Sequence, residues 1–379
     1  MTLPQPPADR AERQPLIDWL RGFAALAVVM FHYFHASARD GWVPLKTDPL
    51  LSLLSSYGYL GVHLFFMISG YVIMMTAQRS TLRRFAASRL SRLLPAFWVC
   101  MALTALVELA LPDAPIKPES WAQFAANLSM VPTWFGQEPM DGAYWSLTVE
   151  ITFYLWVALV IVCGQIRRLE WLLLGWLALS LVNFLRPMYT LQLFTVVQWA
   201  PLFTAGAYFY AVRQSGWTRL RAVGLLASLL LALAYAWVET GVLTHREALW
   251  AFGQGPTHLG TGALVLLFFA LFLGIATGRL RVRETRTSDF LGRLTYPLYL
   301  IHQHVGYALI TAGASLGLAA TVGSTPLILG VMALAVLVAW AVNVGIEQPF
   351  GPRLRRWVEG RRRPLRDGAV LEGAGGPPA

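Results

Sequence analysis

Apolar stretches of about twenty residues recur along this chain, separated by short polar connectors. A run of that length crosses a hydrocarbon layer of about 30 Å as a helix. Ten are found, at 16–37, 51–77, 93–111, 144–163, 170–186, 190–211, 222–239, 258–277, 291–312 and 326–346. The fifth and sixth are separated only by a turn through RPMYT. The first continues past the length of a secretory signal and carries no small-residue cleavage site. The predicted fold is an all-α polytopic membrane protein, a bundle of about ten transmembrane helices.

Composition agrees with the pattern. Hydrophobic residues make up 56% of the chain and charged residues 13%, against about 25% charged in average soluble domains. Both cysteines, Cys100 and Cys163, fall inside apolar runs, which leaves neither a disulfide framework nor a thiolate zinc site. His32 and His35 could share a helix face, but no third ligand stands at metal-site spacing, so no metal is expected.

The net charge of +10 would suit nucleic acid, but the distribution of the cations argues otherwise. All but five of the 30 fall on one set of connectors and the two ends; the exceptions are Arg39, Lys46, Lys117, Arg186 and Arg246. Such asymmetry is the positive-inside signal. It puts both termini in the cytoplasm and leaves no nucleic-acid partner, while membrane lipid remains one. Residues 1–15 then form a polar, disordered cytoplasmic lead. Residues 353–379 form a basic, then Gly/Pro-rich, disordered cytoplasmic tail. The 112–143 loop is extracytoplasmic, with Tyr144 and Trp145 at the membrane interface.

Several ionisable side chains lie inside these spans, where they are costly and tend to face a protein interior or a wet cavity. Arg21 and His32 are eleven residues apart. At about 100° per residue they share one helix face, roughly 16 Å apart along the axis. Glu150 lies about 9 Å inside the fourth span, with Tyr154 one turn on as a hydrogen-bond donor. The outward first span and the inward fourth span put His32 and Glu150 at nearly equal depth, so contact between them is expected. Arg89 and Arg92 are three apart on one face of the connector before the third span. Two guanidiniums at a membrane surface suit bidentate binding of phosphate. His63 sits in the second span among Gly58, Gly61 and Gly70, which allow close helix contact. His302 and His304 point to nearly opposite faces of the ninth span, so they cannot chelate one ion together. Glu347 ends the tenth, where an arginine could pair with it.

Taken together these residues fall into ordered blocks, and the blocks resemble those of the acyltransferase-3 family, integral-membrane acyltransferases that modify glycans and related acceptors. Arg21, ten residues and His32 are similar to the family's first-helix pair. GVHLFFMISGY at 61–71 is similar to its second-helix block, with His63 at a position that is often acidic. Arg89, Arg92 and Pro95 fit its Arg-x-x-Arg-x-x-Pro pattern, WSLTVEITFY at 145–154 its Trp-Ser-Leu and Glu-x-x-x-Tyr block, and YPLYLIH at 296–302 and Glu347-Gln-Pro its closing segments. The resemblance spans about residues 16–352.

It implies an acyl donor, usually acetyl-CoA, supplied from the cytoplasm, and an acceptor hydroxyl on a glycan or a related small molecule. It fits a bacterial cytoplasmic (inner) membrane enzyme that O-acetylates cell-envelope polysaccharide or a similar acceptor. On this reading Arg21, Arg89 and Arg92 hold the CoA phosphates. His32 is the general base and Glu150 its partner, supported by His63, Tyr154, His302 and Glu347. Direct transfer is the expected route; an acyl-enzyme on Ser69 or Ser146 would need a base that the sequence does not put beside either. The alternative is a transporter or flippase of lipid-linked saccharide, which would use intramembrane His, Glu and Arg equally well but would not require this set of blocks.

Overall fold

The computed structural model describes residues 14–78, 80–111, 114–116, 120–249 and 255–360, and every regular element in them is helical. Among the described residues, eight helices are long and apolar enough to cross a membrane. They are α1 (Pro15–Arg39), α2 (Pro49–Ala77), α3 (Leu82–Ala110), α5 (Gly142–Val162), α6 (Ile166–Leu185), α9 (Arg219–Leu249), α10 (His258–Ala276) and α14 (Ser324–Glu359). Shorter helices are α4 (Trp121–Asn127), α7 (Tyr189–Thr195), α8 (Ala200–Ser215), α11 (Arg286–Ile301), α12 (Gln303–Ser315) and α13 (Leu318–Val322). The protein is a polytopic, all-helical membrane protein.

Two of the ten predicted spans are interrupted. The stretch 190–211 is split into α7 and α8 at Val196, whose φ of 46° is left-handed. Pro201 then opens α8, where its missing N–H costs nothing. The stretch 291–312 is split at His302 into α11 and α12. Here Pro297 withdraws a donor from the helix ladder, and the Arg293 carbonyl accepts from Asn343 Nδ2 at 3.3 Å instead. Carbonyls further along accept side-chain hydroxyls, Leu300 from Tyr144 at 2.9 Å and His302 from Tyr33 at 2.7 Å. Irregular backbone at membrane depth persists where neighbours satisfy it in this way.

Other expectations are adjusted. The third span starts earlier than 93: the connector with Arg89 and Arg92, read as one helix face, is the first half of the same helix, α3, which carries Pro95 in its interior. Tyr144 is not at an interface but buried, because a 3-10 turn at Gly142–Tyr144 tucks it under α11. Residues 353–359 continue α14 as helix. The rest of the tail from 361, and the lead up to 13, lie outside the described residues.

Glycines set the closest packing. A Cβ on Gly58 would lie 2.1 Å from the Ala27 carbonyl, and one on Gly61 2.6 Å from that of Ala24, so α2 lies almost backbone-to-backbone on α1. Gly70 and Gly206 do the same between α2 and α8. Without a hydrophobic drive between helices in lipid, such close approach is a main source of association. It packs α1 and α8 against α2.

Candidate active site

Three arginines converge at one end of the bundle. Arg21 of α1 and Arg89 and Arg92 of α3 line a cavity of ≈ 490 Å³ with Ser88, Arg293 and Glu347. Arg89 is 7% exposed, and its Nε is buried with no partner among the described residues. Its Nη2 donates to Ser88 Oγ at 3.1 Å, and the guanidinium lies 5.8 Å from the centre of the Tyr154 ring. Arg21 has Asp18 at 3.7 Å. Glu347 accepts from Asn343 and shares the cavity wall with Arg92. A buried guanidinium with an unfilled N–H is an unmet donor.

From this vestibule a narrow passage of ≈ 70 Å³ leads inward, still bordered by Arg21, Arg89 and Arg92. Glu150 of α5 stands in its wall. It accepts from Ser69 Oγ at 2.7 Å and from the Tyr154 hydroxyl, so Tyr154 is the donor that its spacing predicts. The base that sequence spacing could not put beside Ser69 is therefore this carboxylate, brought from another helix.

Val62 and Tyr299 border both this passage and a smaller cavity of ≈ 80 Å³ that contains His32, His63 and Glu239. His32 lies where α1 loosens into a π-turn, Phe31–Ala36; such turns often mark functional sites. Its Nδ1 faces two acceptors, the Val28 carbonyl at 2.9 Å and His302 Nε2 at 3.1 Å. His302 Nδ1 lies 2.8 Å from the Tyr299 carbonyl. In the neutral rings, His302 must carry its proton on Nδ1 and accept with Nε2. His32 then carries its own proton on Nδ1, and its Nε2 holds a lone pair with no partner among the described residues.

The direct contact expected between His32 and Glu150 is not made. His32 bonds to Val28 and His302, and Glu150 to Ser69 and Tyr154, in separate cavities. The depth argument placed both at one level but could not fix the faces of two separate helices. His63 takes the partner that sequence reading missed, Glu239 of α9, at 3.0 Å. His304 pairs with buried Glu108 at 2.7 Å and accepts from the Gly142 N–H at 3.0 Å. Asp141 accepts from the His304 N–H at 2.9 Å, so this second His group pins the turn that leads into α5.

Residues 15–344 match the family model described as an acyltransferase domain, that of acyltransferase-3. The chain belongs to the acyltransferase-3 family. Acyltransferase MdmB of Streptomyces mycarofaciens is 26% identical over 94% of this chain and 95% of its own length. O-acetyltransferase OatA of Staphylococcus aureus is 31% identical over 39% of this chain, which corresponds to 24% of that protein. Peptidoglycan O-acetyltransferase OatA of Listeria monocytogenes is 26% identical over the same shares. No solved structure matches the chain. It is an O-acetyltransferase-like membrane enzyme, and the matched stretch includes every cavity residue named above except Glu347.

Proposed function

We propose that this enzyme moves an acyl group, acetyl in the first instance, from acyl-CoA on the cytoplasmic side to a hydroxyl presented from the opposite side. Both chain ends would be cytoplasmic, in a bacterial inner membrane. The observation that carries the reading is the run of adjoining cavities from three arginines to the free Nε2 of His32.

The donor's phosphates would sit on Arg21, Arg89 and Arg92, where Arg89 has an unmet N–H. Its pantetheine arm would thread the passage past Glu150. There Glu150 would fix Ser69 and Tyr154, and through Tyr154 the ring beneath Arg89, as a positioning residue. The acceptor hydroxyl would give its proton to His32 Nε2 while its oxygen attacks the thioester carbonyl. As the tetrahedral intermediate collapses, the C–S bond breaks and the imidazolium returns the proton to the leaving thiolate. The products are an ester and free CoA thiol. The imidazolium is held by its Nδ1–H bonds to Val28 and His302.

The acceptor hydroxyl belongs to a glycan or another hydroxylated molecule. The test is transfer of label from [14C]acetyl-CoA by purified protein in detergent. Covalent label on an acceptor, lost in His32→Ala, is expected. A protein that binds saccharide but never turns over the thioester would instead be a carrier.

A further inference from the structure

A further cavity of ≈ 360 Å³ opens between α6, α8 and α9, in the half of the bundle remote from the three arginines. Pockets of this order accept small organic ligands. It meets the His32 cavity at a partition made of His63, Trp199 and Glu239, which line both. Its walls are mostly apolar, with Phe184, Trp199 and Val238 among them. Asn183 and Tyr235, also in the wall, satisfy each other at 3.1 Å. Two polar groups remain unmet. Gln198 Oε1 is buried without a partner among the described residues, and His63 Nδ1 likewise, while His63 Nε2 is held by Glu239.

We infer that this cavity is the acceptor site, and that it takes a small hydroxylated molecule with an apolar body. The inference rests on the acyl-transfer reading and narrows it. The apolar body would lie against Phe184, Trp199 and Val238. One hydroxyl would donate to Gln198 Oε1, and the reacting hydroxyl would pass Glu239 to reach His32 Nε2. A sugar chain in the same space would bury several hydroxyls against apolar walls. Each one left unpaired is costly, so the lining selects against a polysaccharide strand. Glu239 and His63 are positioning residues here: their pairing sets the width of the opening between the two cavities.

The experiment uses the full chain in lipid nanodiscs with [14C]acetyl-CoA and two acceptors, phenyl β-D-glucopyranoside and maltotriose. Label is expected on the phenyl glucoside and not on maltotriose. Val238→Trp should fill the cavity and raise the acceptor KM about tenfold or more. Gln198→Leu should raise it several-fold, and acetyl-CoA KM should stay at the wild-type value in both, which also reports that the protein is folded. Label on maltotriose but not on the glucoside overturns the inference, as does an acceptor KM untouched by Val238→Trp, while acyl transfer itself survives. Absence of any acetyl-CoA turnover by the wild-type protein overturns the transfer reading and this inference with it.

Discussion

His302 Nε2 lies 3.1 Å from His32 Nδ1, although the residues are 270 positions apart. One contact holds the two helices at this level: the His302 carbonyl accepts from the Tyr33 hydroxyl of α1 at 2.7 Å. The pair fixes which nitrogen of His32 is free. When His32 takes a proton, its Nδ1–H becomes a charge-assisted donor to His302.

Replacing His302 should therefore slow the chemical step rather than weaken donor binding. A hydrogen bond to a charged group is worth about 1.5–3 kcal/mol, so His302→Phe should lower kcat on the order of ten- to a hundredfold. Acetyl-CoA KM should be unchanged. Steady-state kinetics decide, and wild-type kcat in His302→Phe would show that the Val28 carbonyl alone suffices.

Much of the architecture is legible in the sequence because burial in lipid writes long apolar runs. Arg21, Arg89 and Arg92 are likewise readable, since their spacing is local to one or two helices. What is not legible depends on helix rotation and on pairing between distant segments. The depths of His32 and Glu150 could be estimated along each axis, but not the faces they present to one another. His302 and Glu239 come from segments far from their partners in sequence, and only packing brings them to His32 and His63. The π-turn at Phe31–Ala36 has no period that a sequence pattern would show. A signal for Glu239 did exist: a lone acid at the end of a long apolar run.

Among the described residues, Glu150 and His302 share no hydrogen-bond partner. Effects of Glu150→Gln and His302→Phe on kcat/KM should therefore add, within about 0.5 kcal/mol. A coupled catalytic pair would instead give a double mutant close to the worse single one. The four rates of the mutant cycle distinguish the two, and strong coupling would return Glu150 to direct contact with the reacting base.

The arginine cluster predicts how the donor is read. Gln at Arg21, Arg89 or Arg92 should raise acetyl-CoA KM by the equivalent of about 1.5–3 kcal/mol, with partial rescue by Lys, which lacks the planar fork. Comparing acetyl-CoA with its 3′-dephospho form assigns the phosphates. The wild type should prefer acetyl-CoA, and the variant that loses this preference names the arginine that holds the 3′-phosphate. Unchanged KM values in all three variants would make the cluster structural.

Ser69 tests direct transfer. Its Oγ donates to Glu150, a contact an acyl-enzyme route would need. If transfer is direct, Ser69→Ala removes one donor from a carboxylate that keeps Tyr154, and should cost no more than about 1.5–3 kcal/mol in kcat/KM. Intact-mass spectra of wild type quenched during turnover should show no acetyl adduct. A dead Ser69→Ala together with a trapped adduct would establish Ser69 as nucleophile.

The last prediction concerns the frame that holds the cavities. A Cβ on Gly70 would lie 1.9 Å from the Phe203 carbonyl, and one on Gly206 1.9 Å from that of Met67. Both obstacles are backbone, so no side-chain rotation can relieve the clash. α2 and α8 would have to separate, losing the close contact that substitutes for a hydrophobic drive in lipid. α2 carries His63 and Ser69, and Trp199 immediately precedes α8. Separation would thus widen the partition at the His32 cavity as well as weaken the bundle. Gly70→Ala and Gly206→Ala should each destabilise by about 1–3 kcal/mol, the usual cost of overpacking, and should lower acyl transfer. Gly175, in mid-helix with nothing within 4 Å of a new Cβ, is the control; Gly175→Ala should hold or slightly raise Tm through helix propensity. Thermal unfolding in one detergent compares the three. Equal Tm for all of them would mean that α2 and α8 do not approach as closely as these glycines require.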